Sequence, residues 1–253
     1  MNQTLLFDLD DTLIHCNKYF DMVIEQFAEQ MKVYFGSYGI STQTFVEKQA
    51  EIDTAGIAIH GFKADRFPKS FVETYDYFSS YTGRTASEEE KQTLYDIGES
   101  VYKVDFEPYP NMVETLEKLQ AEGHTLCVYT GGDEVIQRTK LKVVGLESYF
   151  GSRVFVAQHK GLPFLESLLQ REQFNRATTW MIGNSLRSDI RPALHAGINA
   201  IFLPALNPWH YDNVELDSDP KGAYLTLNEL LEVPEAIRSY VNEGRAECKF
   251  PQG

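Results

Sequence analysis

A single short strand at the head of the chain is cut off from every other strand by a long helical stretch. Residues 4–7 read as a buried apolar strand that stops at Asp8. From residue 19 to about residue 103 the pattern is helical throughout. Phe20, Val23, Phe27, Met31 and Tyr34 recur at steps of three and four, as do Phe67, Phe71, Tyr75 and Phe78, and then Leu94, Ile97 and Val101. Ser87 and Glu90 are spaced as a capping box that opens the last of these helices. Gly61 marks a break. The stretch closes on Glu107, Pro108, Tyr109 and Pro110, whose two prolines predict a stiff linker or hinge.

Beyond that point strands and helices alternate. The pattern predicts helices over 112–122, 134–144, 162–171 and 190–196, and strands over 125–129, 153–157, 179–182 and 200–203. Residues 227–241 read as one or two peripheral helices. Continuous apolar strands separated by helices argue for a parallel sheet covered on both faces. The expected fold is therefore α/β, a Rossmann-like parallel sheet with an all-helical domain inserted after the first strand. The expected division is a core of residues 1–15 and 108–253 and a helical cap of residues 16–107. Ligands of open α/β sheets bind beyond the C-terminal strand ends. The insertion leaves from that end, so it is expected to serve as a lid.

The formal net charge of −14 disfavours nucleic acid and anionic membrane surfaces as partners. An anionic substrate then needs a local cation. Cys16, Cys127 and Cys248 are too few and too widely spaced for a zinc site or a disulfide framework, and Cys127 lies in an apolar run that reads as core. No basic leader or membrane-length apolar run is present, and a cytoplasmic location is expected.

Four groups fall at predicted strand ends. Asp8, Asp10 and Asp11 crowd three carboxylates into four residues, a set of hard oxygens suited to magnesium. A solvated acidic turn or a helix N-cap would use the same residues. If Asp8 attacks phosphorus, a neighbouring acid must protonate the leaving oxygen and later activate water, and Asp10 can do both. Thr130, Gly131 and Gly132 open a helix and can cradle phosphate, or simply form a turn. Lys160 can neutralise a phosphate, with His159 beside it as a rival, whereas Lys140 and Lys142 are expected to be solvated on their helix. Asn184 and Asp189, after a glycine turn at Gly183, offer oxygens to a metal near Asp8.

Taken in order, these groups resemble the motifs of the haloacid dehalogenase superfamily of phosphohydrolases. Asp8, Asp10 and Thr12 match its first motif, Thr130 its second, Lys160 its third and Gly183 to Asp189 its last. The resemblance covers roughly residues 1–15 and 108–205. It implies that Asp8 is the nucleophile and Asp10 the general acid and base, the latter also offering its backbone carbonyl to Mg2+. It further implies that Thr130 and the Gly131 amide hold phosphate oxygens, that Lys160 pairs with phosphate and Asp8, and that Asp189 binds the metal. Thr12 joins the substrate-binding group. Asn184 stands where many members carry an acid and would give the metal an oxygen without charge. The implied activity is magnesium-dependent hydrolysis of a small-molecule phosphate monoester through an aspartyl-phosphate. A phosphomutase and a non-catalytic phosphate-binding or partner-binding member are the alternatives. A metal-free dehalogenase would not need Asp10. Lys63 and Arg66, beside the Gly61 break, are expected to recognise an acidic or polar part of the substrate, or else to lie in a solvated loop.

Overall fold

The computed structural model describes residues 2–216 and 222–243. The chain divides into two compact units, Met1–Asn17 with Phe106–Gly253, and Lys18–Asp105. Cys248 lies outside the described residues. Cys16 and Cys127 are buried free thiols, and Cys127 is core as expected.

The first unit is built on one parallel sheet. Its strands are β1 (Thr4–Phe7), β2 (Thr125–Gly131), β3 (Val154–Ala157), β4 (Thr179–Gly183), β5 (Asn199–Phe202) and β6 (Tyr224–Thr226). They lie in the order β3-β2-β1-β4-β5-β6, so β1 is one of the two middle strands. Phe7 is in register with Val128 on one side and Ile182 on the other. Alternation along β1 sends Leu5 and Phe7 to one face and Leu6 to the other, and all three are fully buried.

Helices cover both faces. On the Leu5 and Phe7 side pack α5 (Met112–Ala121), through Met112, Leu116 and Leu119, and α6 (Glu134–Val143), through Leu141. Phe150 of the short α7 (Glu147–Phe150) joins them, as do Val233 and Ile237 of α10 (Val233–Glu243). On the Leu6 side pack α8 (Leu162–Arg171), through Leu165, Leu168 and Leu169, and α9 (Arg191–Ala196), through Ala193 and Leu194. The α/β class and the helical insertion after the first strand are as expected. β6 was not expected, because three residues are too few to show a period of two. Residues 227–241, expected as one or two helices, hold the 3-10 turn Leu230–Glu232 running into α10. The proline segment is tied down by backbone pairing: His15 N donates to Glu107 O at 2.8 Å and Tyr109 N to Leu13 O at 2.8 Å.

The second unit is helical. It contains α1 (Asn17–Phe35), α2 (Thr42–His60), α3 (Arg66–Thr82) and α4 (Glu88–Glu99). Its core is aromatic. Phe27 stacks on Phe71 with ring centroids 4.2 Å apart, and Phe35 meets Phe45, Tyr75 and Phe78. Only half of the expected capping box forms. Ser87 accepts from Glu90 N at 3.5 Å, but Ser87 N donates to the Tyr75 hydroxyl at 3.0 Å. The Glu90 carboxylate is held by Arg84 instead, at 2.6 and 2.7 Å.

The α3–α4 contact is close. A Cβ on Gly98 would lie 2.7 Å from Pro68 Cα and 3.3 Å from a Phe71 ring carbon. Gly98→Ala is therefore expected to destabilise this unit by about 1–3 kcal/mol, the usual effect of forcing an extra carbon into a packed interface. Thermal denaturation followed by circular dichroism checks it, and an unchanged Tm would contradict this close packing.

Candidate active site

The chain leaves β1 into a tight turn. Asp8 N still donates to Ile182 O at 2.9 Å, and Leu9 O then accepts from Leu13 N and Ile14 N at 2.9 and 3.1 Å. Asp11 sits at the left-handed φ of 56°, and its carboxylate accepts from Cys16 N at 3.1 Å and Asn17 N at 2.8 Å. Of the three clustered acids, Asp11 thus serves the backbone at the start of α1. The Asp8 and Asp10 carboxylates meet lysine side chains instead.

Asp8 is buried, with both oxygens engaged. Oδ1 meets Lys160 Nζ at 2.5 Å, and Oδ2 lies 3.2 Å from Thr12 Oγ1. Thr12 is buried and lies 3.2 Å from Asn184 Oδ1 as well. The Lys160 ammonium also meets Asp189 Oδ1 at 2.5 Å, so one buried cation bridges two carboxylates that start from different strands. Asp189 Oδ2 accepts from Ser185 N at 2.9 Å, and its Oδ1 accepts no hydrogen bond beyond that ion pair. Asp189 belongs to the wide turn Leu186–Ile190 that leads into α9. Ser185 Oγ accepts from Ser188 N and donates to Asp212 Oδ1 at 2.6 Å, which fixes this loop from behind. His159, the rival to Lys160, is exposed.

Burial pushes the Asp8 carboxyl up to about 8. Lys160 opposes the shift, while Asp189 and Asp10 add to it. Burial works against the Lys160 ammonium, but the Asp189 and Asp8 carboxylates override it and raise its pKa. Burial likewise lifts Asp212 to about 6, against its bond from Ser185.

Asp10 faces α6. Lys140 Nζ lies 2.8 Å from Asp10 Oδ1 and 2.9 Å from Oδ2, and Gln137 Nε2 donates to Oδ2 at 2.9 Å. This corrects the expectation that Lys140 is solvated: its side chain is 5% exposed, whereas Lys142 is indeed exposed. Burial again disfavours the ammonium, and the Asp10 carboxylate outweighs it, so the Lys140 pKa is raised. Gln137 Nε2 also donates to Thr130 Oγ1 at 2.7 Å. The α6 residues Gln137, Lys140 and Leu141 are all buried. Their i, i+3, i+4 spacing was the available signal, masked because two of the three are polar. Gly131 closes β2 beside Thr130 and pairs with Ala157.

Lys63 and Arg66 lie in the helical unit. Lys63 N donates to Gly61 O at 2.9 Å, and the Arg66 guanidinium holds Glu73 at 2.9 and 3.2 Å.

Three carboxylates, Asp8, Asp10 and Asp189, stand against the two ammonium groups of Lys140 and Lys160. Among the described residues no three His, Cys, Asp or Glu side chains form a metal-ligand cluster. A hard divalent cation that keeps several waters needs only one or two carboxylates and neutral oxygens. Asp8, Asp189 with its under-used Oδ1, and Asn184 Oδ1 provide such a set. The excess of carboxylates over ammonium groups fits a cation there.

A family model of haloacid dehalogenase-like hydrolases matches residues 3–197. The chain belongs to that family. The hydrolase is 25% identical over 244 residues to a glyceraldehyde 3-phosphate phosphatase of Methanocaldococcus jannaschii, covering 94% of this chain and 98% of that protein. It is 25% identical over 248 residues to a pyrimidine 5'-nucleotidase of Streptococcus pneumoniae, covering 90% and 93%. A haloacid dehalogenase-like hydrolase structure from Xanthomonas campestris superposes with a TM-score of 0.75 at 23% identity, covering 94% of this chain and 95% of that one, and shares the fold. No helix among the described residues is long and apolar enough to cross a membrane.

Gly183 sets the place of Asp189. A Cβ there would lie 2.2 Å from Asp189 Oδ2 and 2.5 Å from its carboxyl carbon. Gly183→Ala is expected to displace that carboxylate from Lys160 and lower hydrolase activity by about tenfold or more, the scale on which misplaced catalytic groups act. Steady-state kinetics beside circular dichroism checks this, and a folded variant with wild-type activity would refute it.

Proposed function

We propose that this protein hydrolyses a small-molecule phosphate monoester with Mg2+, through an aspartyl-phosphate on Asp8. Family membership, with relatives named as a phosphatase and a nucleotidase, makes the chain a phosphoric monoester hydrolase. The observation that carries the finer reading is the Lys160 ammonium held between the Asp8 and Asp189 carboxylates at the C-terminal edge of the sheet. Open α/β sheets bind ligands at that edge, where the strand order reverses about β1.

In the proposed mechanism an Asp8 oxygen attacks phosphorus. The ester oxygen leaves and takes a proton from Asp10. Water then attacks the phosphorus of the aspartyl-phosphate and gives its proton to Asp10. The P–O bond to Asp8 breaks, its electron pair returns to the carboxylate, and inorganic phosphate departs. Lys160 neutralises charge on the phosphoryl oxygens and on Asp8. Thr130 and the Gly131 amide align the phosphate, and Thr12 braces Asp8 from below. Phosphoryl transfer depends mainly on such alignment and charge neutralisation. Asp8, Asp189, Asn184 and the Asp10 backbone carbonyl would hold magnesium. When bound, it supplies the positive charge that lets an anionic carboxylate approach an anionic phosphate.

The two relatives act by name on a triose phosphate and on pyrimidine nucleotides, so the substrate class proposed here is no narrower than small phosphorylated metabolites. The test is phosphate release from a panel holding both kinds of ester, with magnesium and with chelator. Release that needs magnesium and disappears in Asp8→Asn is expected. Release unaffected by chelator, or near wild-type turnover by folded Asp8→Asn, would sink the reading.

Lys63 and Arg66 are assigned to substrate recognition in the same proposal. Lys63→Ala and Arg66→Ala are expected to raise KM for the preferred ester, each by about tenfold, the effect of one lost charged hydrogen bond. Unchanged kinetics on every member of the panel would withdraw both residues.

A further inference from the structure

Asp10 is gripped from behind by two side chains that the mechanism above does not use. Lys140 Nζ contacts both carboxylate oxygens, at 2.8 and 2.9 Å, and Gln137 Nε2 contacts Oδ2 at 2.9 Å. All three contacts come from N–H donors. An ammonium has no acceptor, and the Gln137 amide cannot be flipped without turning its oxygen toward a carboxylate. A proton on Asp10 then has to sit on the edge that no donor occupies. The three donors fix the direction of that edge. The grip is also internal: the Lys140 side chain is 5% exposed and Gln137 1%, while the Asp10 side chain keeps 26% exposure. One edge of the carboxylate stays open to water.

The same Gln137 amide donates to Thr130 Oγ1 at 2.7 Å. A hydroxyl has a single proton. Once Thr130 accepts from Gln137, that proton is left to donate, in this structure to Gly131 O at 3.3 Å. Gly132 leaves the space for Gln137. Its φ is +137°, and a Cβ there would lie 3.0 Å from two Gln137 side-chain carbons. Lys140 Nζ also lies 4.8 Å from the Phe106 ring centroid and 3.5 Å from Cys16 Sγ, beside the buried Leu141.

We propose that Gln137 and Lys140 are positioning residues that hold Asp10 as the acceptor for the second half of the reaction, the attack of water on the phosphorylated Asp8. This inference rests on the phosphatase mechanism proposed above. In that half-reaction the water oxygen bonds to phosphorus and the water proton moves to the open Asp10 oxygen. The phosphorus–Asp8 oxygen bond breaks, with its electron pair left on Asp8. Loss of the grip lets Asp10 turn away, so the aspartyl-phosphate outlives its formation.

p-Nitrophenyl phosphate separates the two halves, because its leaving group departs without a proton donor. The full chain with magnesium is mixed rapidly with this ester, and Lys140→Met, Gln137→Leu and Lys140→Arg are compared with wild type. In Lys140→Met and Gln137→Leu, a burst of p-nitrophenol equal to the enzyme concentration is expected, followed by a slow phase. In both, kcat falls about 10- to 100-fold, up to the low end of what general base catalysis supplies because Asp10 itself remains, and KM falls by the same factor. The ratio kcat/KM is little changed, and Lys140→Arg recovers most of kcat. A purely structural ion pair predicts otherwise: lower Tm with unchanged kcat, or equal loss in kcat and kcat/KM without a burst. Either result overturns the proposal. If Lys140→Met does not fold, Gln137→Leu decides by the same burst, since it removes no charge. A wild-type enzyme that never labels Asp8 would instead sink the covalent mechanism, and this inference with it.

Discussion

A buried ammonium is tolerable only where carboxylates neutralise it, and buried carboxylates repel one another unless a cation stands between them. Lys160 satisfies both conditions, with Asp8 on one side and Asp189 on the other. The surrounding structure serves that arrangement. β1 and β4 lie side by side, which brings the turns after Phe7 and Gly183 together. Gly183 has no side chain, so Asp189 can fold back against the strand end. Ser185 and Asp212 keep the wide turn in place. The site is an electrostatic unit whose members hold one another at short range in a dry environment.

A second, smaller version of the same device lies beside it. Lys140 does for Asp10 what Lys160 does for Asp8, but from a helix rather than from a loop after a strand. The two acids are two residues apart in sequence and are served by different cations from different elements. Asp11, next in the chain, is bonded by backbone amides rather than by a lysine. Adjacent aspartates therefore have three distinct electrostatic roles, set by the tight turn after β1.

Much of the fold was legible because its signals are periodic. The apolar runs of β1, β2 and β4, and the steps of three and four along α1 and α3, each point to one element type. β6 escaped because three residues carry no period. The four strand-end groups were legible as a set, since each follows a run that reads as a strand, although along the sheet edge they stand in the different order β3-β2-β1-β4. Lys140 and Gln137 were not, because a charged residue on a helix usually faces water. Only the three-dimensional proximity of Asp10 gives that lysine a reason to be buried. The half-formed capping box has the same cause. Ser87 caps the helix as expected, but Tyr75 takes the Ser87 amide and Arg84 takes the Glu90 carboxylate, so the reciprocal half of the box does not form.

The placement of β1 at the centre of the sheet also shapes how the protein comes into being. Thr4 pairs with Thr125 on one side and Thr179 on the other, so both neighbours of the strand are synthesised long after it. The four helices that follow β1 make contacts among near neighbours in sequence, which form quickly and need nothing downstream. On the ribosome the helical unit can therefore assemble while β1 still lacks both edges. An unpaired apolar strand is a sticky object, and it must stay so through the synthesis of an entire domain. Asp8, at the end of β1, thus emerges before the helical unit and gains its sheet neighbours only after it.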